Sequence, residues 1–168
     1  MGLILTPSPL EAATFAPFGF VIQVDGRAGR RVNQDRALRL DGFGVLRHEA
    51  PANKPIVSLY AIDASKLPLD IALVERHPLS SQLFVPMQAC RALVVVAPSG
   101  KDGMPGVDHV RAFLSQPGQA ICYHPGTWHA PLFAIDEAAA FTMMMWESGT
   151  ARDCEEFSLP EPLSVRAV

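Results

Sequence analysis

Cysteine is scarce in this chain. Cys90, Cys122 and Cys154 are the only three in 168 residues, and no two form a C-x-x-C pair. That excludes a disulfide-stapled scaffold and a thiolate zinc ribbon, and fits thiols kept reduced. Clustered positive charge is missing too. Arg30-Arg31 is the only adjacent basic pair, and the net charge is −3, so the footprint of a nucleic-acid binder is absent. An acidic balance does not exclude a small anionic substrate, because the local charge of a pocket decides that. Long apolar runs are also lacking. The longest, Ala92 to Ala97, falls far short of a membrane span. The opening Met1-Gly2-Leu3-Ile4-Leu5-Thr6-Pro7 has no basic region of the kind that begins a secretory leader. The expectation is a cytoplasmic protein with a small-molecule substrate and neither a nucleic-acid nor a membrane partner.

What the chain does have is punctuation. Fifteen prolines and twelve glycines divide a composition that is 49% apolar and 18% charged, a balance that folds. Residues 1–168 suit one domain with a sizeable core. Ser8-Pro9-Leu10-Glu11 reads as a capping box opening a short helix to about Thr14, stopped before Pro17. Short strand patterns follow at Gly19–Val24, Ala37–Leu40, Gly44–His48, Pro55–Ile62, Asp70–Glu75, Gln82–Pro86, Arg91–Ala97, Gln119–His124, Pro131–Ile135 and Phe141–Trp146. Turn signals such as Asp41-Gly42, Lys66-Leu67-Pro68, Pro98-Ser99-Gly100, Pro117-Gly118 and Pro125-Gly126 separate them. Val107–Leu114 can form two turns of helix, with Val107, Val110 and Phe113-Leu114 on one face. From about Pro160 the chain reads as a loose tail. Many short strands with a few short helices predict a mainly β fold, an antiparallel barrel or double-sheet jelly roll.

Two segments carry the chemistry. Gly118 to His129 holds a glycine, five strand residues and His124-Pro125-Gly126-Thr127-Trp128-His129. It resembles the second cupin motif, G-x5-P-x-G-x-x-H, with His124 in place of the motif's first proline. Glu75-x-His77-x4-Gln82 resembles the first cupin motif, H-x-H-x4-E, with Glu75 and Gln82 in two ligand positions. Glu75 and His77 flank one residue of a strand and therefore share a face. Glu75, His77, Gln82 and His129 can bind a divalent ion, nickel or zinc being suited to imidazole. A metal-free pocket in which the same groups hydrogen-bond an organic substrate is the alternative, and no organic cofactor is implied. Of Tyr123 and His124, one faces the pocket and the other faces away. His48 and His109 read as solvated, and Trp128 as a packing wall.

The resemblance is more specific than a generic cupin. Glu75-Arg76-His77-Pro78-Leu79-x-x-Gln82-x-Phe84-x-Pro86-Met87 and Tyr123-His124-x-x-x-Trp128-His129-x-Pro131-Leu132 are similar to the signature segments of the ureidoglycolate lyase family. Phe15-Ala16-Pro17-Phe18-Gly19, Leu93–Ala97 and Val110-Arg111-Ala112-Phe113 extend the likeness over most of the chain. The resemblance implies a cupin-like barrel, a homodimer, and cleavage of ureidoglycolate to glyoxylate and urea in allantoin breakdown. It implies His77 and His129 at the site with Glu75 and Gln82, as metal ligands or as acid, base and orienting groups, assisted by Tyr123 or His124. Asn33 and Arg39, with Ser58 and Arg76, are the implied substrate contacts.

The chain departs from the family in two places. Val32-Asn33-Gln34-Asp35 and Arg39-Leu40-Asp41 keep Asn33 and Arg39 but lose a histidine of the usual R-[FY]-H-D block. Ser58-Leu59-Tyr60-Ala61 stands where the family reads S-I-x-R, so Ala61 replaces an arginine. These departures leave room for a related 2-hydroxy or 2-oxo acid as substrate, or for a non-catalytic acid-binding cupin.

Overall fold

Alternation builds this molecule. Along Ala139–Glu147 every second side chain is buried and those between are half-buried, the period of a strand with one face on a core. A computed structural model describes residues 3–167. Its strands are β1 (Ile4–Leu5), β2 (Ser8–Pro9), β3 (Gly19–Ile22), β4 (Arg30–Val32), β5 (Ala37–Arg39), β6 (Lys54–Ile62), β7 (Ala64–Ser65) and β8 (Leu69–Arg76). They continue with β9 (Gln82–Pro86), β10 (Arg91–Ala97), β11 (Arg111–Leu114), β12 (Ala120–Tyr123), β13 (Trp128–His129), β14 (Phe133–Ile135), β15 (Ala139–Glu147) and β16 (Glu155–Val165). A single-turn helix, α1, covers Ala12–Phe15.

The strands form a five-stranded sheet in the order β3-β12-β9-β15-β6 and a nine-stranded sheet whose main path is β1-β16-β8-β13-β10-β11-β2. Most pairings are antiparallel, and the two sheets face each other as the expected double-sheet barrel. One core fills the space between them, with Phe84, Ile121, Phe141, Met143 and Met145 from the smaller sheet meeting Ala92, Val94, Val96 and Phe113 from the larger. A second core, Leu93, Val95, Val74, Trp128, Leu163 and Val165 among others, lies on the opposite face of the larger sheet. β10 is therefore buried on both faces, which explains its unbroken Leu93-Val94-Val95-Val96 run. Gly19 is required where β3 meets β12, because a Cβ there would lie 1.9 Å from the Cys122 carbonyl oxygen.

Four expectations are corrected. Val107–Leu114 is not a helix: Val107–His109 make one 3₁₀ turn, and β11 then pairs antiparallel with β10. Val110 and Ala112 enter one core and Phe113 the other, so the pairing needs of β10 override a pattern that also fits a helix. Ser8-Pro9 is not a capping box but β2, paired parallel with β11, and α1 begins after Glu11 with no side-chain cap. The stretch from Pro160 is no tail: β16 pairs with β8 and β1 and buries Leu163 and Val165. Gly44–His48 is irregular, with only a bridge from His48 to Ser80.

Candidate active site

β8 and β13 lie side by side in the larger sheet, with His129 directly opposite Glu75. His77 follows β8 in a turn, and Gly126 donates its backbone N–H to the His77 carbonyl at 3.0 Å, tying the two motif segments together. The turn that presents His129 needs Gly126, whose φ is +76°. The fold thus joins two segments far apart in sequence. The imidazoles of His77 and His129 are 5.4 Å apart, and Glu75 Oε1 lies 3.9 Å from His77 Nε2 and 3.6 Å from His129 Nε2.

Each imidazole is aimed from behind. His77 Nδ1 donates to the Asp153 carbonyl at 2.7 Å and His129 Nδ1 to the Thr127 carbonyl at 2.9 Å. A carbonyl oxygen only accepts, so both Nδ1 atoms carry a hydrogen, and each imidazole in its neutral form turns an Nε2 lone pair inward. Both Nε2 atoms are buried without a hydrogen-bond partner. Burial, and the neighbouring His129, hold the His77 imidazole below its usual value, so it is neutral at neutral pH. A hydrogen bond from His129 and its charge, both present when that imidazole is protonated, hold the Glu75 carboxyl below the usual range, against the opposing pull of burial.

The facing sheet supplies the opposite wall. Tyr123 stacks on His129 at 4.1 Å and 13°. Gln82 is its register partner on β9, and the Gln82 Oε1 and Tyr123 hydroxyl are also buried and unpartnered. Ser58 sits on β6 opposite Met143, half-buried and turned to the interior. The pocket-facing member of the Tyr123-His124 pair is therefore Tyr123. His124 turns instead to the Phe20 ring, 6.3 Å away.

Other expected contacts lie apart. Arg39 is on the exposed β4–β5 hairpin, ion-paired with Asp41 at 2.8 Å, and Asn33 occupies the turn of that hairpin. Arg76 is on the far face of β8 from Glu75, over Trp128 at 4.6 Å and paired with Glu155 at 2.7 Å. Among the described residues no bond or ring contact joins these three to the Glu75, His77 and His129 group. His48 is exposed and stacked on Trp146, and His109 is exposed, as expected. A cleft of about 470 Å³ lined by Leu3, Val107, Leu159 and Leu163 contains none of the site residues.

Three neighbours of the site were not foreseen. Cys154 donates its thiol to Glu75 Oε2 at 3.6 Å, and burial and the Glu75 charge push that thiol up to about 12. Tyr60, 40% exposed, sets its ring edge-on to Phe84 at 5.3 Å, its hydroxyl raised by partial burial and then by Glu75. Asp153 closes a capping box with Thr150 and so presents its carbonyl to His77. Only the Thr150-x-x-Asp153 spacing signalled any of them.

Residues 3–166 match the family model described as ureidoglycolate lyase. The chain belongs to the ureidoglycolate lyase family. It is 39% identical to the ureidoglycolate lyase of Stutzerimonas stutzeri (strain A1501) over 157 residues, 94% of this chain and 91% of that one. It is 38% identical to the ureidoglycolate lyase of Pseudomonas fluorescens (strain Pf-5), covering 94% and 92%, and 37% identical to that of Pseudomonas entomophila (strain L48), covering 91% and 90%. A solved structure, a dTDP sugar isomerase from Desulfovibrio desulfuricans G20, aligns over 86% of this chain and 83% of that one with a TM-score of 0.45 and 15% identity. Membership in the ureidoglycolate lyase family accounts for both motif segments at once.

Proposed function

We propose that this protein is a ureidoglycolate lyase, splitting ureidoglycolate into glyoxylate and urea at a site built on Glu75, His77 and His129. One observation carries the site: a carboxylate oxygen and two imidazole lone pairs converge within 4.8 Å of one another, buried against a hydrophobic wall. With both imidazoles neutral, the two Nε2 lone pairs and the carboxylate oxygen repel one another, and a cation standing between them relieves that repulsion. The donor set fits a divalent ion, and nitrogen-rich ligation favours nickel or zinc. Such an ion, held by Glu75, His77 and His129, would supply positive charge for the substrate's carboxylate and hydroxyl oxygens and lower the pKa of the hydroxyl. That role replaces the one first given to Arg39, Asn33 and Arg76, which lie away from the group.

The chain's own groups then have a short task. Glu75 Oε2, which meets the Cys154 thiol while Oε1 faces the imidazoles, takes the hydroxyl proton. The O–H electron pair becomes the carbonyl of glyoxylate, and the C–N pair leaves with urea, whose nitrogen takes the proton back from Glu75. The second wall, Tyr123, Phe84 and Met145, excludes water from the departing group. In this role the protein acts in allantoin catabolism, as a cytoplasmic homodimer.

A related 2-hydroxy or 2-oxo acid is the rival substrate, supported by the missing arginine at Ala61 and the missing histidine of the R-[FY]-H-D block. Ala61 is exposed beside Ala140, on the outward face of the smaller sheet, while Tyr60 points inward. An arginine lost there leaves the pocket unchanged.

Incubation with ureidoglycolate, with and without chelator and with added nickel or zinc, tests the proposal. Urea and glyoxylate should form together well above the spontaneous rate, and His77→Ala and His129→Ala should lose at least about a hundredfold of it. Ammonia in place of urea, or no release across the metals tried, would overturn it.

A further inference from the structure

Among the described residues five buried side-chain polar atoms lack a partner; one, His124 Nδ1, is on the residue that turns to Phe20, and the other four fall into two sets. His77 Nε2 and His129 Nε2 belong to the larger sheet and turn to Glu75. Gln82 Oε1 and the Tyr123 hydroxyl belong to the smaller one. Gln82 and Tyr123 are each only 2% exposed and stand directly opposite on β9 and β12. Side chains so paired on one sheet face are about 5 Å apart. A buried acceptor and a buried donor, side by side and both unused, cost stability that a ligand can recover.

The orientation of the pair is fixed by its surroundings. Gln82 Nε2 lies 3.9 Å from Met145 Sδ, and a thioether only accepts, so the amide nitrogen belongs there and the carbonyl oxygen faces the interior. Tyr123 is held flat on His129, and a phenol keeps its hydrogen at neutral pH, so it is a donor. An acceptor beside a donor is the complement of a terminal amide, which offers N–H and C=O side by side.

We propose that Gln82 and Tyr123 form the subsite that reads the ureido end of the substrate. Tyr123 O–H donates to the ureido carbonyl oxygen, and Gln82 Oε1 accepts from the terminal NH₂. This rests on ureidoglycolate being the substrate. It removes Gln82 from the metal ligands and makes it a specificity residue. The two contacts differ in timing. When the C–N bond breaks, charge moves from the departing nitrogen onto the ureido oxygen, so the Tyr123 bond strengthens as the reaction proceeds. The Gln82 bond holds substrate and transition state alike.

The test uses the metal-loaded protein and ureidoacetate, which keeps the carboxylate and ureido group but lacks the hydroxyl and so is not cleaved. Glycolate, which lacks the ureido end, is the control. In calorimetry Gln82→Leu and Tyr123→Phe should each weaken ureidoacetate about tenfold and leave glycolate affinity and metal content unchanged. In turnover Gln82→Leu should raise KM with kcat nearly constant, and Tyr123→Phe should lower kcat. Both variants keep side-chain volume, and thermal unfolding checks that they fold. Unchanged ureidoacetate affinity in both variants, or metal lost from Gln82→Leu, overturns the subsite, as does failure of the wild-type protein to bind ureidoacetate. If the wild type binds ureidoacetate through these residues but does not cleave ureidoglycolate, the proposed reaction fails and the subsite stands. The reverse pattern keeps the reaction and removes the subsite.

Discussion

His77 and His129 owe their direction to backbone carbonyls, not to side chains. That makes the two imidazoles robust to substitution around them but sensitive to any shift of the Asp153 and Thr127 peptides. The same residue-by-residue view settles position 61. Tyr60 and Ala61 are neighbours in sequence and opposites in space, since successive strand residues point to opposite faces. Ala61→Arg, which restores the family's residue, should therefore leave kcat and KM for ureidoglycolate within about twofold of wild type. Steady-state kinetics checks this, and a large rise in kcat/KM would show that the outward face reaches the substrate. The motif residues Glu75, His77 and His129 were legible in the sequence because the spacing within each motif segment is local, although only the pairing of β13 with β8 brings His129 to Glu75. Cys154 and Tyr60 were not legible, because they reach the site only through pairing between distant strands.

Among the elements, the turn between β15 and β16 matters more than its size suggests. Asp153 accepts hydrogen bonds from Ser148, Gly149 and Thr150, and these outweigh the effect of burial and hold its carboxyl below the usual range. Its own carbonyl meanwhile orients His77. Asp153→Ala should loosen the turn, free the imidazole and weaken nickel or zinc binding roughly ten- to hundredfold, the usual range for a support behind a ligand. Titration of the metal-free protein measures it, and an unchanged affinity would mean that the turn holds its shape without Asp153. The strand β11 shows where element prediction from sequence stops. Its apolar positions suit a helix and a strand equally, and only the open edge of β10 decides between them. Ser8-Pro9-Leu10-Glu11 failed for a related reason: a backbone edge offered by β11 is stronger than a cap for a helix of one turn.

At the scale of the whole molecule, the larger sheet is covered on both faces, and β16 closes the second core. Leu163 is 4% exposed there, so Leu163→Ala should destabilise by about 2–5 kcal/mol, read from the midpoint of denaturant unfolding. A loss below about 0.5 kcal/mol would return this segment to the loose tail that its prolines and charges imitate. Composition and turn spacing announced the double-sheet barrel, because alternation and punctuation are local properties. The second core was hidden, because Leu159, Leu163 and Val165 are too sparse to register as a strand without β8 beside them.

The backbone bond from Gly126 to His77 has a thermodynamic consequence. It joins the two loops that carry the imidazoles, and each loop is anchored in a sheet whose stability comes from apolar packing. The ligands are thus ordered before any ion arrives, and binding one need not repay the entropy of bringing distant chain segments together. In small zinc modules, by contrast, metal affinity and folding free energy are the same quantity. With an ion at the proposed site the two would be separable: stripping it should silence the chemistry while leaving the barrel standing, ready to be reloaded.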